Sequence, residues 1–183
     1  VDAVICDYNY VFDPNVYLKR FFGEGTSGEY IFLIDEAHNL VDRGREMYSA
    51  HVDRADVLEA KKLATDYGKG LVRALEKVNR QLRTLEKECT EFEILPNPGA
   101  VSLGMLQVMG EMDKLLEELH GKELPEQLLE FYFCVRDFLN IDELLDENYV
   151  VYTEMGEGGK VILRLFCVNP AANIHRCLEK GKS

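Results

Sequence analysis

Between Leu71 and Cys89 the apolar residues step by four and three: Leu71, Leu75, Val78, Leu82, Leu85 and Cys89. That spacing marks one face of a helix. A seam of this length needs antiparallel partners along it, as in a bundle. The stretch opens at Asp53 or Arg54 and runs to about Glu88. At 1.5 Å per residue this predicts a helix of roughly 50 Å, with Gly68 and Gly70 as its weak points. Pro96 and Pro98 break the pattern. A second helix follows from about Ser102 to His120, its apolar side formed by Met105, Val108, Met109, Met112, Leu115, Leu116 and Leu119, with Gly121 as its terminator. A third runs from about Pro125 to Leu139 with Leu128, Leu129, Phe131, Tyr132, Val135, Phe138 and Leu139, and a short one covers Asp142 to Asp146.

The period then changes from 3.6 to 2. Tyr149–Met155 and Lys160–Val168 read as strands, with Gly156-Glu157-Gly158-Gly159 as the hairpin loop. Asn169-Pro170 ends the second strand, and a last helix covers about Ala171 to Glu179. At the other end, Ala3-Val4-Ile5-Cys6 reads as a short buried strand. Asp7, Asn9, Asp13, Pro14 and Asn15 punctuate the turn after it. A helix capped by Asp13 carries Val16, Tyr17, Leu18, Phe21 and Phe22. After a loop from Gly23 to Glu29, the unbroken run Tyr30-Ile31-Phe32-Leu33-Ile34 reads as a strand buried on both faces. The two strands and the helix between them make a parallel β-α-β unit. The expected fold is therefore α/β and mainly α: a partial parallel sheet, an antiparallel helical bundle and a terminal β-hairpin. The expected domains are 1–50, 51–148 and 149–183.

Asp35-Glu36-Ala37-His38 follows the Tyr30–Ile34 run at once. In open α/β sheets, functional groups sit just beyond the carboxyl ends of strands. Asp35 and Glu36 are in that place; they also suit the positive N-terminus of a helix from Glu36 to about Ser49. A rival chemistry is a metal hydrolase using Asp35, Glu36, His38 and His51, although the spacing matches no chelate such as H-E-x-x-H. His120 and His175 lie in other segments.

The flanks carry a resemblance. Asp35-Glu36-Ala37-His38, with Asn39-Leu40 after it, looks like the DEAH form of the Walker B motif of XPD/DinG-type superfamily 2 DNA helicases. Val4-Ile5-Cys6-Asp7-Tyr8-Asn9-Tyr10-Val11-Phe12-Asp13-Pro14 is similar to the strand and turn preceding it, and a long helical insertion returning through a strand to Asn169-Pro170 is also typical. The resemblance spans nearly the whole chain. It implies a fragment: the Walker B corner of the first RecA-like motor domain plus the inserted helical arch. No G-x-x-x-x-G-K-[ST] phosphate loop occurs in the sequence, so the fragment alone is expected to be inactive. For the intact protein it implies ATP and magnesium as cofactors and ATP-driven 5′ to 3′ movement on single-stranded DNA, in repair. Asp35 would hold the magnesium, Glu36 would orient the attacking water, and His38 would link nucleotide state to neighbouring motifs. Relatives that carry an iron–sulfur cluster hold it upstream of the Val4–Cys6 strand, so none is expected here. The resemblance also leaves open an arch that is chiefly a protein-docking platform, or a helicase-like nuclease.

Composition bears on this reading at three points. A net charge of −12 on 183 residues disfavours a generic nucleic-acid-coating protein. Cys6, Cys89, Cys134, Cys167 and Cys177 are too scattered for a disulfide framework or a zinc site, and fit reduced thiols in a cytoplasmic protein. No run approaches the ~18 apolar residues of a membrane span. Charge is uneven, however. From Arg54 to Glu88 the net is +3, which leaves −15 on the rest. At about 100° per residue, Lys62, Lys69, Arg73, Lys77, Arg80, Arg83 and Lys87 share one sector opposite the apolar seam, interrupted by Asp66 and Glu76. Such a ridge either tracks a DNA phosphate backbone or is a solvated helix face. Tyr8 and Tyr10 either stack on bases or, the preferred reading, pack in the core.

Overall fold

The computed structural model describes residues 3–23, 26, 28–119 and 124–181. In chain order the elements are α1 (Asn9–Phe12), α2 (Lys19–Phe22), a 3₁₀ turn at Ala37–Asn39, α3 (Leu40–Met47), β1 (Ala50–Asp53), α4 (Arg54–Leu63), α5 (Lys69–Glu88), β2 (Phe92–Leu95), α6 (Ala100–Glu118), α7 (Glu126–Asp142), β3 (Tyr149–Met155), β4 (Val161–Cys167) and α8 (Ala171–Leu178). The fold is α/β and mainly helical. The chain forms two compact units, 1–49 with 166–183, and 50–165.

In the unit 50–165, α5 is the central helix. It packs against α4 and α6; α6 packs on α7, and α7 on β1 and α4. The seam is buried as its spacing predicts: Leu75, Val78 and Leu82 are fully enclosed. They meet Met105, Val108 and Met112 of α6 and Leu128, Val135 and Phe138 of α7 in one core. α5 and α6 approach closely at Gly104, where a β-carbon would lie 2.7 Å from a Val78 methyl and 2.8 Å from the Gln81 amide oxygen.

One continuous helix from Asp53 to Glu88 does not form. α4 ends at Leu63 and a 3₁₀ turn at Ala64–Asp66 follows. Gly68 then adopts φ 154° and ψ 146°. Only glycine takes that conformation without strain, so the chain turns there and α5 starts in a new direction.

The sheet is antiparallel, in the order β1-β4-β3-β2. The hairpin β3–β4 forms as the period-2 pattern predicts. It is the centre of a sheet whose outer strands β1 and β2 lie in the unit 50–165, and the last residues of β4, Phe166 and Cys167, belong to the other unit with α8. The four-residue strands β1 and β2 are absent from the periodicity reading, being too short to show alternation. Val52, Val151, Val161, Leu163 and Leu165 face the helices. Edge strand β2 leaves Phe92 and Ile94 exposed.

The unit 1–49 with 166–183 departs more from expectation. The parallel β-α-β unit is not formed among the described residues. Residues 3–7 have no regular structure, and 30–34 is extended with a single bridge at Ile31. Nor is that run buried on both faces: Ile31 is 76% and Leu33 93% exposed. Tyr30 and Phe32 turn the other way, onto Phe22, with ring centroids 5.2 and 5.8 Å away. A strand needs neighbours for its backbone groups and both its faces, and among the described residues no strand ladder forms beside this one. Of the helix expected from Asp13 only Lys19–Phe22, α2, forms; α1 lies before Asp13, and in the turn between the two Asp13 Oδ1 accepts from Asn15 N–H at 2.8 Å. α3 and α8 form close to where the sequence places helices. They meet at Gly44, where a β-carbon would lie 2.9 Å from both Ile174 and Pro170. Gly121 and His120 lie outside the described residues.

Two outcomes test this packing. Leu82→Ala should destabilise the unit by about 2–5 kcal/mol in chemical denaturation, because a fully enclosed seam leaves a cavity. A loss below about 0.5 kcal/mol, the level of a surface change, would contradict it. The second concerns Glu86, which pairs with buried Arg54 at 2.5 Å and accepts from Val161 N–H at 3.1 Å. Burial works against its ionisation, but the Arg54 hydrogen bond, the Val161 N–H and the charges of Arg54 and Lys160 outweigh it and hold the carboxyl below its ordinary 4.5. A lowered native pKa means stability present above the unfolded value and lost as pH falls through the native one. Glu86→Gln should therefore cost about 3 kcal/mol at neutral pH and show a shallower acid loss than wild type below about pH 4.5.

Candidate functional site

The acids predicted to carry chemistry stand in a turn. Asp35 and Glu36 link the extended 30–34 segment to the 3₁₀ turn at Ala37–Asn39. Asp35 Oδ1 accepts the Glu36 N–H at 2.9 Å, and the Tyr8 hydroxyl donates to the Asp35 carbonyl. His38 Nε2 lies 3.4 Å from Glu36 Oε2, with both side chains largely in solvent. Asp35, Glu36 and His38 thus share one turn, with the Glu36 and His38 side chains side by side. Glu36 has φ 48° and ψ 39°, and among the described residues it is the only non-glycine with positive φ. That backbone costs about 1–3 kcal/mol. Such conformations persist where the surroundings fix them, and they cluster at working sites.

The residues fit a hard cation bound with phosphate. Magnesium keeps most of its waters and takes one or two protein carboxylates plus substrate phosphates. Asp35 and Glu36, exposed on one turn, are carboxylates of the kind such an ion would take from a protein. A cage made by the protein itself is a different matter: among the described residues no group of three or more His, Cys, Asp or Glu is placed to hold a metal ion. The rival hydrolase set is accordingly not assembled. His51 lies in β1 opposite Arg164, and His175 sits 3.4 Å from Glu179 on α8. Thiol chemistry at Cys134 has no better footing. Burial pushes Cys134 up to about 11, with Asp56 and Asp137 adding to it, so the reactive thiolate is suppressed.

The basic ridge is real along α5 but shorter than expected. Lys69, Arg73, Lys77, Arg80, Arg83 and Lys87 are all exposed on that helix. Lys62 is exposed too, but on α4, before the break at Gly68. It therefore leaves the sector that a single helix would have given it. Glu76 does not interrupt the stripe. It turns to Lys61 at 2.5 Å and to the Asn79 amide at 3.4 Å, and the Lys61 hydrogen bond holds its carboxyl below the ordinary range. The sequence reading missed the other bank. Gln107 on α6 accepts from Lys77 Nζ at 3.0 Å, and Lys114 stands on the same side of α6. Nothing in the periodicity of α6 says which helix its polar face meets. Tyr10 is exposed rather than in the core, and Tyr8 is half-buried.

The model of the family DEAD_2 matches residues 1–57, the stretch that holds the acidic turn. No curated protein sequence matches the chain. Among solved structures, Xpd4 of S. tokodaii is similar in fold at a TM-score of 0.52 and 16% identity, over 93% of this chain. The chain spans only 36% of that protein. In its first 57 residues the chain matches DEAD_2, and in its fold it is XPD-like, as the sequence resemblance implies.

Proposed function

We propose that this chain is the Walker B corner and inserted arch of an XPD/DinG-like, ATP-dependent DNA helicase. The observation that carries the reading is the turn at Asp35–His38, two exposed carboxylates and an imidazole on a positive-φ backbone inside the DEAD_2 match. In the intact enzyme, Asp35 would be a magnesium ligand through its carboxylate. The ion, held with ATP, neutralises charge that builds on the transferred phosphoryl oxygens. Glu36 orients the attacking water by accepting its hydrogen bond and takes up its proton. The pairing of His38 with Glu36 fits a residue that senses that carboxylate and passes nucleotide state to adjacent motifs. The unit 50–165 is the arch, and the unit 1–49 with 166–183 belongs to the first motor domain. Exposed Val4, Ile5, Ile31 and Leu33 support this, since they are faces that further strands of a motor sheet would cover. Movement is 5′ to 3′ on single-stranded DNA in a cytoplasmic repair helicase. No helix among the described residues is long and apolar enough to cross a membrane.

The pure 183-residue chain should not hydrolyse ATP, since its sequence has no phosphate loop to hold the nucleotide. Magnesium-dependent turnover by it, abolished by Glu36→Gln, would contradict the assignment. In the intact helicase, Glu36→Gln should lower kcat by about 10²-fold or more while nucleotide affinity stays within about threefold, because it removes the base and keeps the shape.

A further inference from the structure

The exposed cations of α5 do not form an open ridge along their whole length. Between α5 and α6 runs a groove of about 460 Å³. Arg73, Lys77 and Arg80 line its α5 bank, and Lys114 and Gln107 its α6 bank. Gly110 lines it as well, and a β-carbon there would meet nothing within 4 Å, so the wall is low at that point. Among the described residues the one acid lining it is Glu111, which pairs with Lys114 at 2.7 Å. Four cations against one carboxylate line a groove in a chain whose net charge is −12. Among the described residues no aromatic side chain lines it.

We infer that the α5–α6 groove is a binding site for a phosphodiester strand, with Lys114 as its far-bank cation. Arg73 to Arg80 spans about 10 Å of helix, enough for two or three successive phosphates. Arg73 and Arg80 offer forked guanidinium donors and Lys77 and Lys114 offer point charges, a mixture suited to phosphate oxygens. With no ring to stack on, the groove grips the backbone and not the bases. An entering phosphate competes with Glu111 for Lys114. Glu111 is thus a gatekeeping acid that sets the affinity. Lys62, on another helix, and Lys87, near the end of α5, lie outside the groove. The site deepens the helicase reading and rests on it for the biological strand, but binding is measured without turnover.

The test is fluorescence anisotropy of labelled oligothymidylate with the 183-residue chain at low salt. Wild type should bind with a salt slope of about −1.5 to −2, the value for two or three phosphate contacts on a single strand. Oligodeoxyadenylate should bind within about twofold of it. Arg73→Glu with Lys77→Glu should weaken binding at least about tenfold, and Lys114→Glu alone about three- to tenfold. Glu111→Gln should tighten it about two- to threefold. The charge-matched controls Lys62→Glu and Lys87→Glu should change it by less than about twofold. No binding at low salt, or equal weakening by Lys62→Glu and Lys114→Glu, overturns the groove. The docking-platform reading of the arch then moves ahead, while ATP turnover by the intact enzyme and its loss in Glu36→Gln stay as they are. Circular dichroism of each variant excludes unfolding as the cause.

Discussion

Arg54 is a cation buried at the start of α4, and the helical unit closes around the need to satisfy it. A guanidinium does not shed its proton, so burial without acceptors would cost several kcal/mol. Its Nε donates to Asn79 Oδ1 at 3.0 Å and its NH1 to Glu86 at 2.5 Å. Both acceptors are on α5. The network continues in both directions: Asn79 donates to Glu76, which also takes Lys61 of α4, and Glu86 takes the Val161 N–H that begins β4. One polar chain therefore ties the first helix, the central helix and the sheet. Hydrophobic contact alone would let α4 slide along α5, because apolar burial has no direction. Fixed donors and acceptors along α5 set the register.

That register explains which parts of this unit were legible in the sequence. The seam from Leu71 to Leu82 was, because a 3.6 period over three turns has no other economical burial. So was the hairpin, where alternation is regular on both sides of a glycine-rich loop. The polar network was not. Arg54 and Glu86 are 32 positions apart, and each alone reads as a surface charge. The break at Gly68 was visible as a weak point but not as a change of direction, since one glycine costs a helix only about 1 kcal/mol and tertiary contacts decide whether the helix survives it. β1 and β2, four residues each, exist because β3 and β4 offer them edges, and such pairing leaves no local trace.

The candidate catalytic turn shows the opposite balance. Its four letters stood out in the sequence, whereas the conformation of its flanks and its surroundings did not follow from them. An unbroken apolar run says that Tyr30–Ile34 is able to be buried on both faces; it does not say that cover is present. In this chain one face has it, from Phe22, and the other has Ile31 and Leu33 in solvent. The backbone of Glu36 was likewise hidden, since glutamate has no local preference for positive φ. The motif therefore carries more information about chemistry than the run carries about burial.

The period that builds the core also builds the groove. A helix that turns Leu71, Leu75, Val78 and Leu82 inward must turn the residues about 180° away outward, and on α5 those are arginine and lysine. In a neutral protein such a face is ordinary solubility chemistry. Here the rest of the chain carries −15, so a polyanion is repelled from most of the surface and admitted only where cations outnumber acids. Lys114 adds what periodicity on one helix cannot, a second bank. A ridge attracts a strand from any side, whereas a groove with charges on both banks fixes its path. The acidic bulk and the basic groove would thus act together in the proposed strand binding: one would suppress indiscriminate coating by a polyanion, and the other would leave one favoured track between α5 and α6.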